Sequence, residues 1–157
     1  MPSNTLSRVL CVDDDKDACE MLRMLMNSYR IHVTCAQSAA EAWRLMKAER
    51  FDLYMLDAWL PQTDGFEFCR QIRELDSVTP ILFYSGAAYD ADKQKGMAVG
   101  ANAYLTKPDV EGLIETVMDL IAKAKVDEVP QPWVINQLQP PKKSLSAQFF
   151  SVAAVRN

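Results

Sequence analysis

Four short apolar runs in this sequence are each followed by polar side chains that can do chemistry. If the runs are neighbouring parallel strands, their carboxyl ends meet at one edge of a sheet, which is where open α/β sheets bind their ligands. Three carboxylates, one hydroxyl and one ammonium group then line a single crevice. In chain order they are Asp13 and Asp14 after residues 9–12, Asp57 after 53–56, Ser85 after 81–84, and Lys107, which follows 103–105 and Thr106.

The three carboxylates Asp13, Asp14 and Asp57 favour the binding of a cation. Carboxylates within about 4 Å of one another repel by several kcal/mol at an effective dielectric constant near 20. Their hard oxygen ligands suit Mg²⁺, which takes one or two carboxylates, keeps several waters and completes its octahedron with phosphate oxygens. The cluster therefore predicts a phosphate-bearing ligand. Lys107 and Ser85 can bind phosphoryl oxygens, and Asp57 can attack phosphorus as a carboxylate nucleophile.

The elements that position these side chains alternate along the chain. Apolar runs of four or five residues alternate with segments of about a dozen residues that have a 3.6-residue hydrophobic period. This alternation is typical of βαβ units and a parallel sheet, and five such repeats are expected. The runs before Asp13, Asp57 and Ser85 are continuous enough for central strands, whereas the run before Lys107 is shorter and more polar, as in an edge strand.

Each well-defined helical segment has an apolar face that is expected to cover the sheet. A weaker fourth helix is predicted from about Tyr89 to Val99, and the methionines of the first helix are interpreted as core residues. The predicted apolar faces are Ala18, Leu22, Leu25, Met26 and Tyr29 in the first helix; Ala39, Ala42, Leu45 and Met46 in the second; Phe66, Cys69, Ile72 and Leu75 in the third; and Val110, Leu113, Ile114, Val117, Met118 and Ile121 in the fifth.

Length and charge argue against several functional classes. A chain of 157 residues with 49% hydrophobic content can bury the core of one ordinary domain and leave a tail. The net charge of -4, without a concentrated basic patch, argues against direct nucleic-acid binding. No apolar stretch approaches the roughly 20 residues of a membrane span, and the start lacks a signal-peptide layout. We therefore expect a soluble cytoplasmic protein without membrane insertion.

The four cysteines, Cys11, Cys19, Cys35 and Cys69, are widely spaced along the chain. They form neither a CxxC pair nor the spacing of a zinc site. We interpret all of them as small buried hydrophobic residues.

Taken together, the reactive segments resemble the receiver domain of two-component response regulators, of the single-domain chemotaxis-like type with a C-terminal extension. The resemblance covers about residues 7–124 and implies a flavodoxin-like (βα)5 three-layer sandwich with strand order 2-1-3-4-5. Each segment alone is weak evidence for this family, but the combination of all of them is highly specific for it. The matching segments are Val12-Asp13-Asp14, Leu53-Tyr-Met-Leu-Asp57-Ala-Trp-Leu-Pro61 with Asp64-Gly65, Ser85-Gly86-Ala87, and Gly100-Ala-Asn-Ala-Tyr-Leu-Thr-Lys107-Pro108.

The resemblance also implies a role for each residue of the crevice. Some residues hold Mg²⁺, some hold the transferred phosphoryl group, and some form a conformational switch. The implied assignments are Asp57 as phosphoacceptor and metal ligand, Asp14 as a direct Mg²⁺ ligand, Asp13 as a ligand acting largely through water, Trp59 as a ligand through its backbone carbonyl, Ser85 and Lys107 as phosphoryl-binding residues, Ser85 and Tyr104 as the switch, and Lys107-Pro108 as a cis peptide bond.

The expected function is that of a receiver in a phosphorelay. Its partners would be a sensor histidine kinase or a histidine phosphotransfer protein, and a downstream protein target whose binding surface is switched by phosphorylation. No enzymatic activity is expected beyond its own phosphorylation and autodephosphorylation. Two alternatives stay open: an adaptor that uses the fold without phosphoryl chemistry, and a haloacid-dehalogenase-type phosphohydrolase, which usually needs a second Asp where this chain has Trp59.

The sequence changes character after the last predicted helix. We expect a receiver domain over residues 1–126 and a proline-containing extension over 127–157, with no recognisable output domain. The chain either acts alone, by docking or through this extension, or is the amino-terminal piece of a longer protein. Apolar residues such as Trp133, Phe149 and Phe150 predict that the extension packs on the domain or on a second protomer, so a homodimer is possible.

Overall fold

The computed structural model describes residues 5–127. The predictions for the proline-containing extension fall on residues outside this range. None of the helices in the described range combines the length and the apolar content that a membrane crossing requires. The elements are β1 (Ser7–Val12), α1 (Lys16–Asn27), β2 (Ile31–Ala36), α2 (Ala39–Ala48), β3 (Leu53–Leu56), α3 (Gly65–Leu75), β4 (Ile81–Ser85), α4 (Asp90–Ala98), β5 (Ala103–Thr106) and α5 (Val110–Asp127).

The five strands form one parallel sheet in the order β2-β1-β3-β4-β5. This order confirms the expected flavodoxin-like arrangement. The register aligns the carboxyl ends of the strands, because Val12 of β1 pairs with Leu56 of β3, and Leu56 pairs with Phe83 of β4. Ser85 at the end of β4 pairs with Thr106 at the end of β5. The residues that follow the strands therefore emerge at the same edge of the sheet.

Burial distinguishes the central strands from the edge strands as the apolar runs predict. Every residue of β3 and β4 is buried, as are the last four residues of β1. All of β5, at one edge of the sheet, is only partly buried. Strands covered by helices on both faces require continuous apolar sequences, whereas an edge strand tolerates polar residues.

Two separate cores lie on the two faces of the sheet. The face covered by α2 and α3 is rich in rings, and we call its cluster the aromatic core; the face covered by α1 and α5 holds mostly aliphatic side chains, and we call its cluster the aliphatic core. The aromatic core consists of Leu10, Val12, Ala36, Ala39, Ala42, Phe51, Tyr54, Leu56, Ala58, Phe66, Phe68, Cys69, Ile72, Ile81, Phe83, Ala87 and Ala101. The aliphatic core consists of Val9, Cys11, Cys19, Leu22, Met26, Ile31, Val33, Leu53, Met55, Leu82, Tyr84, Leu113, Val117 and Ile121.

Several apolar residues expected in the core are exposed instead. Helix α1 buries Cys19, Leu22 and Met26, which share one side of the helix at 3.6-residue spacing. Residues two positions away from a buried one fall on the outer side, so the interpretation of the neighbouring methionines as core was wrong. Two others lie at helix ends, where the helical period no longer fixes the direction of a side chain: Tyr29 follows α1, and Leu75 is the last residue of α3. The exposed residues are Met21, Met24, Tyr29, Leu75 and Met118.

Two cysteines also depart from expectation. Cys19 of α1 and Cys35 of β2 form a disulfide, with their Cα atoms 6.2 Å apart. Cys11 and Cys69 are buried free thiols, as expected. The interpretation of all four cysteines as small buried hydrophobic residues was wrong for this pair, because α1 packs against β2 and brings together two residues that are 16 positions apart. Their spacing in the sequence carries no sign of this contact.

Candidate functional site

The first part of the site is the loop between β1 and α1, residues 13–15, which we call the acid loop. The Asp13 backbone N–H donates to the Ala36 carbonyl at the end of β2 (2.9 Å), and its Oδ1 accepts from the Asp15 N–H (2.9 Å). Asp15 caps α1 by accepting from the backbone N–H groups of Asp17 and Ala18. These hydrogen bonds fix the loop between a strand end and a helix start.

Asp57, the predicted phosphoacceptor, follows β3 directly beside the acid loop. Its backbone N–H donates to the Val12 carbonyl (3.0 Å), and the residue is 8% exposed. Its Oδ1 accepts from the Ser85 hydroxyl (2.7 Å) and from the Trp59 backbone N–H (3.0 Å). Its Oδ2 accepts from the Lys107 ammonium (3.0 Å). Both carboxylate oxygens are thus oriented by neighbours from three different chain segments.

The carboxylates form a cluster that fits a small divalent cation. Asp13, Asp14 and Asp57 each place one oxygen so that the three atoms lie within 4.8 Å of one another. Asp13 and Asp57 are buried and Asp14 is exposed, so the cluster is anchored on one side and faces solvent on the other. Hard oxygen donors with an open side are the donor set that Mg²⁺ prefers. The Trp59 backbone is close to the cluster, because its N–H donates to Asp57 Oδ1. The Trp59 carbonyl stays a predicted ligand.

The Lys107 ammonium group forms ion pairs with two of the three carboxylates. It lies 2.5 Å from Asp13 Oδ2 and 3.0 Å from Asp57 Oδ2. Burial disfavours the charged form, but the hydrogen bonds that the ammonium group donates to Asp13 and Asp57 outweigh this effect and raise the Lys107 pKa above its ordinary value. One ammonium beside three ionised carboxylates leaves an excess of two negative charges. A divalent cation would neutralise that excess.

The turn after β5 holds the lysine in position. The Lys107 backbone N–H donates to the Ser85 carbonyl (2.9 Å), and the Lys107-Pro108 peptide bond is cis. The structure therefore brings together all the residues that the sequence predicts for metal and phosphoryl binding, from the ends of four different strands.

A chain of contacts leads from Asp57 to Tyr104, the predicted switch residue. Ser85 Oγ donates to Asp57 and accepts from the Ala87 backbone N–H (3.3 Å). The Ala87 carbonyl accepts from the Tyr104 hydroxyl (2.7 Å). The Tyr104 ring stacks on Phe83 with the ring centroids 5.5 Å apart. Tyr104 is thus turned inward, with its hydroxyl tied to the segment that follows the Ser85 strand.

Two glycines matter to the site in ways that sequence reasoning missed. A Cβ on Gly65 would lie 2.2 Å from the Asp57 carbonyl oxygen, so only glycine lets α3 begin this close to the phosphoacceptor backbone. A Cβ on Gly96 of α4 would lie 2.8 Å from Tyr104 Cδ2, so glycine there leaves room for the inward ring. The importance of Gly65 could have been suspected from the sequence, because Asp64-Gly65 is a typical turn pair. A single glycine inside a helix, such as Gly96, only lowers the expected stability of that helix.

Comparisons with known proteins agree with this geometry. Residues 9–118 match the family described as the response regulator receiver domain. The transcriptional regulatory protein YvrH of Bacillus subtilis is 42% identical over 102 residues, which is 64% of this chain and 42% of YvrH. The response regulator MprA of Mycobacterium sp. (strain KMS) is 35% identical over 124 residues, 78% of this chain and 54% of MprA.

A solved structure, the Francisella response regulator 1452 receiver domain, superposes with a TM-score of 0.70 at 28% identity, covering 74% of this chain and 98% of that one. The chain spans about half the length of the curated relatives it matches. A parallel sheet of order 2-1-3-4-5, an acidic cluster at its carboxyl edge and a family match over most of the described residues lead to one conclusion: the chain belongs to the receiver domain family of two-component response regulators.

Proposed function

We propose that this chain accepts a phosphoryl group from a phosphohistidine onto Asp57, with Mg²⁺ bound at the acid loop, and that this modification changes a protein-binding surface. The observation that carries the proposal is the environment of the Asp57 carboxylate. It is buried, it is hydrogen-bonded to Ser85 and Lys107, and it lies within 4.8 Å of oxygens from two further carboxylates. A carboxylate held in this way is oriented as a nucleophile, and donors that can hold phosphoryl oxygens stand beside it.

The chemistry follows from these contacts. A carboxylate oxygen of Asp57 attacks phosphorus, an O–P bond forms, and the N–P bond of the phosphohistidine breaks to release imidazole. Lys107 offers a mobile positive charge to the phosphoryl oxygens, and the Ser85 hydroxyl offers a hydrogen-bond donor. Mg²⁺, when held by Asp13, Asp14 and Asp57, would supply charge neutralisation for the transferred group.

The switch follows from the contacts between Ser85, Ala87 and Tyr104. A Ser85 hydroxyl drawn toward a phosphoryl group pulls on the Ala87 segment, because its oxygen accepts a hydrogen bond from the Ala87 N–H. The Ala87 carbonyl holds the Tyr104 hydroxyl, so the same movement favours the inward ring. Phosphorylation then shifts the population between two arrangements of the surface around α4, β5 and α5.

The proposal also includes the partners and the setting of the chain. The donor is a sensor histidine kinase or a histidine phosphotransfer protein, and the receiver of the signal is a downstream protein. We propose that the receiver domain covers residues 1–126, that it operates in the cytoplasm, and that it makes no direct contact with nucleic acid. The match covers only 42% of YvrH and 54% of MprA, so we propose no function for this chain from the remainder of those proteins.

The decisive experiment measures phosphorylation of Asp57 by mass spectrometry. The full chain is incubated with Mg²⁺ and phosphoramidate, which has an N–P bond like that of phosphohistidine. We expect the mass of one phosphoryl group to be added to wild type, to be lost in Asp57→Ala, and to be retained in Asp119→Ala, a control that removes an exposed carboxylate of α5. The same mass on Asp57→Ala, or none on wild type, contradicts the proposal.

A second measurement separates the receiver from a phosphorylation-independent adaptor. Beryllium fluoride with Mg²⁺ mimics the phosphoryl group, and the exposed Trp59 indole beside Asp57 reports on the site by fluorescence. We expect a fluorescence change in wild type and none in Asp57→Ala. An unchanged signal in both proteins favours the adaptor.

A further inference from the structure

The disulfide between Cys19 and Cys35 lies at the base of the acid loop. Cys19 is in the first turn of α1, and Cys35 is the last but one residue of β2. Cys19 is 2% exposed, whereas Cys35 is only partly buried at the rim of the aliphatic core. Cys35 is therefore the more accessible residue of the pair.

Hydrogen bonds connect both ends of this disulfide to the acid loop. The Cys19 backbone N–H donates to the Asp15 carbonyl (3.1 Å), at the helix end of the loop. Ala36, the residue after Cys35, accepts from the Asp13 N–H (2.9 Å), at the strand end of the loop. The sulfur–sulfur bond closes a covalent ring over residues 19–35. The acid loop lies just outside this ring, between the start of the helix and the end of the strand that the disulfide joins. Within the described range no other disulfide joins α1 to β2.

The other two cysteines are poor competitors for this pairing. Cys11 is the register partner of Cys35 on the adjacent strand, so it lies nearby. The Cys35 sulfur is nevertheless bonded to Cys19, and Cys11 is 2% exposed. Cys69 is 0% exposed and lies in the aromatic core, on the other face of the sheet. A thiol buried in a core is shielded from a small disulfide in solution. Thiol chemistry is therefore directed to Cys19 and Cys35.

We propose that Cys19 and Cys35 form a reversible redox modification site, whose co-substrate is a low-molecular-weight disulfide such as oxidised glutathione and whose oxidised form restrains the acid loop. The effect of this restraint on Mg²⁺ binding rests on the function proposed above. In a reducing compartment a disulfide is transient and regulatory rather than permanent. The redox state of the surroundings would therefore change how tightly the acid loop binds Mg²⁺.

The reaction balances as two successive exchanges. The thiolate of Cys35, the more accessible residue, attacks one sulfur of R–S–S–R and forms a mixed disulfide with release of one RSH. The Cys19 thiolate then attacks the Cys35 sulfur, closes the internal disulfide and releases a second RSH. Two protons and two electrons pass from the two protein thiols to the co-substrate. An excess of RSH reverses both steps.

Reduction would free the acid loop without removing any of its carboxylates. The hydrogen bonds from Asp13 and Cys19 remain possible, but the strand and the helix that they join are no longer tied covalently. Local opening of the loop becomes more frequent, which is measurable as faster exchange of its backbone amides. A loop that spends more time open binds a cation more weakly, since only the closed arrangement brings its carboxylates together.

The test uses the full chain after treatment with oxidised glutathione or with excess reduced glutathione. Thiol tagging under denaturing conditions should label two cysteines in the oxidised protein and four in the reduced protein. Amide hydrogen exchange in a peptide covering residues 13–19 should be several-fold slower in the oxidised form. Cys19→Ala and Cys35→Ala should each lose this redox difference, whereas Cys69→Ala, the matched control on the opposite face, should keep it.

A Mg²⁺ titration followed by Trp59 fluorescence completes the experiment. We expect a several-fold weaker apparent affinity after reduction. Equal thiol labelling in both treatments, or equal exchange of residues 13–19 in the two forms, overturns the proposal. So does a Mg²⁺ affinity that is the same in both forms. A redox difference in amide exchange without any phosphorylation of Asp57 supports the thiol site and contradicts the proposed function instead.

Discussion

The two faces of the sheet are held together in different ways. In the aromatic core, rings meet in defined orientations: Trp43 packs edge-on against Phe68 at 5.2 Å, and Phe66 and Tyr104 both contact Phe83, at 5.1 and 5.5 Å. The aliphatic core contains a single ring, Tyr84, and is crosslinked at its rim by the Cys19–Cys35 disulfide. The packing of the aromatic core depends on the orientation of its rings, whereas the aliphatic core is crosslinked by a disulfide.

This difference corresponds to the two halves of the functional site. The aromatic face leads from Asp57 through Ser85 and Ala87 to Tyr104, whose ring must change its packing if it is to act as a switch. The acid loop, in contrast, is anchored beside the aliphatic face and has to keep its carboxylates in place. Oriented rings allow discrete alternative arrangements, whereas a covalent link restricts movement. The oriented rings thus border the proposed switch residue, and the covalent link borders the acid loop.

The largest effect is expected from adding a methyl group where α3 begins. In Gly65→Ala the new Cβ would lie 2.2 Å from the Asp57 carbonyl oxygen and 2.8 Å from Ala58 Cα. Backbone atoms cannot move aside cheaply, so we expect the free energy of unfolding to fall by about 3 kcal/mol in urea denaturation. Gly86→Ala is the matched control, because nothing lies within 4 Å of its Cβ position. Similar losses in the two variants would contradict the close contact at α3.

A smaller loss is expected from opening the disulfide of the aliphatic face. Reduction of Cys19–Cys35 removes a link across 16 residues, and disulfides closing loops of this size contribute about 2 kcal/mol or somewhat more. The free energy of unfolding of the full chain should fall by that amount in a thiol reductant. Cys69→Ala should show the same difference between oxidising and reducing conditions, and Cys35→Ala should show none. If Cys35→Ala still responds to the reductant, another cysteine carries the effect.

The smallest effect is expected from filling the space that Gly96 leaves beside the Tyr104 ring. Alanine is favoured over glycine inside a helix by about 1 kcal/mol, so Gly96→Ala should stabilise α4 if nothing opposed it. Here the added Cβ would lie 2.8 Å from Tyr104 and 3.1 Å from Phe83. We expect a net loss of about 1 kcal/mol in unfolding free energy and an outward displacement of the Tyr104 ring, visible by NMR.

A double-mutant cycle checks the origin of that loss. In a Tyr104→Leu background, Gly96→Ala should no longer destabilise the protein, because the ring that the Cβ would meet is absent. A loss that is the same in both backgrounds would mean that Gly96 serves the helix rather than Tyr104. A gain in stability in the presence of Tyr104 would show that the ring moves aside without cost.

Much of the fold follows from local sequence patterns. The continuous apolar runs before Asp57 and Ser85 predict buried central strands, and the shorter run before Lys107 predicts an edge strand; the structure has all three in those places. Helix faces are predicted less completely. Leu22 is in the core, but Leu75, in the last turn of α3, is 79% exposed, because periodicity describes a helix without showing where its neighbours end.

The sequence by itself determined which reactive groups meet, because residues that follow parallel strands must emerge at the same edge of the sheet. This reasoning predicts the positions of four site residues, because each stands at or just after the end of its own strand: Asp13, Asp57, Ser85 and Lys107. Only the tertiary structure decided that Cys19 meets Cys35 and that Gly96 leaves space for Tyr104. Such contacts join side chains of different elements, and their distances depend on how helices pack on the sheet, which no local spacing encodes.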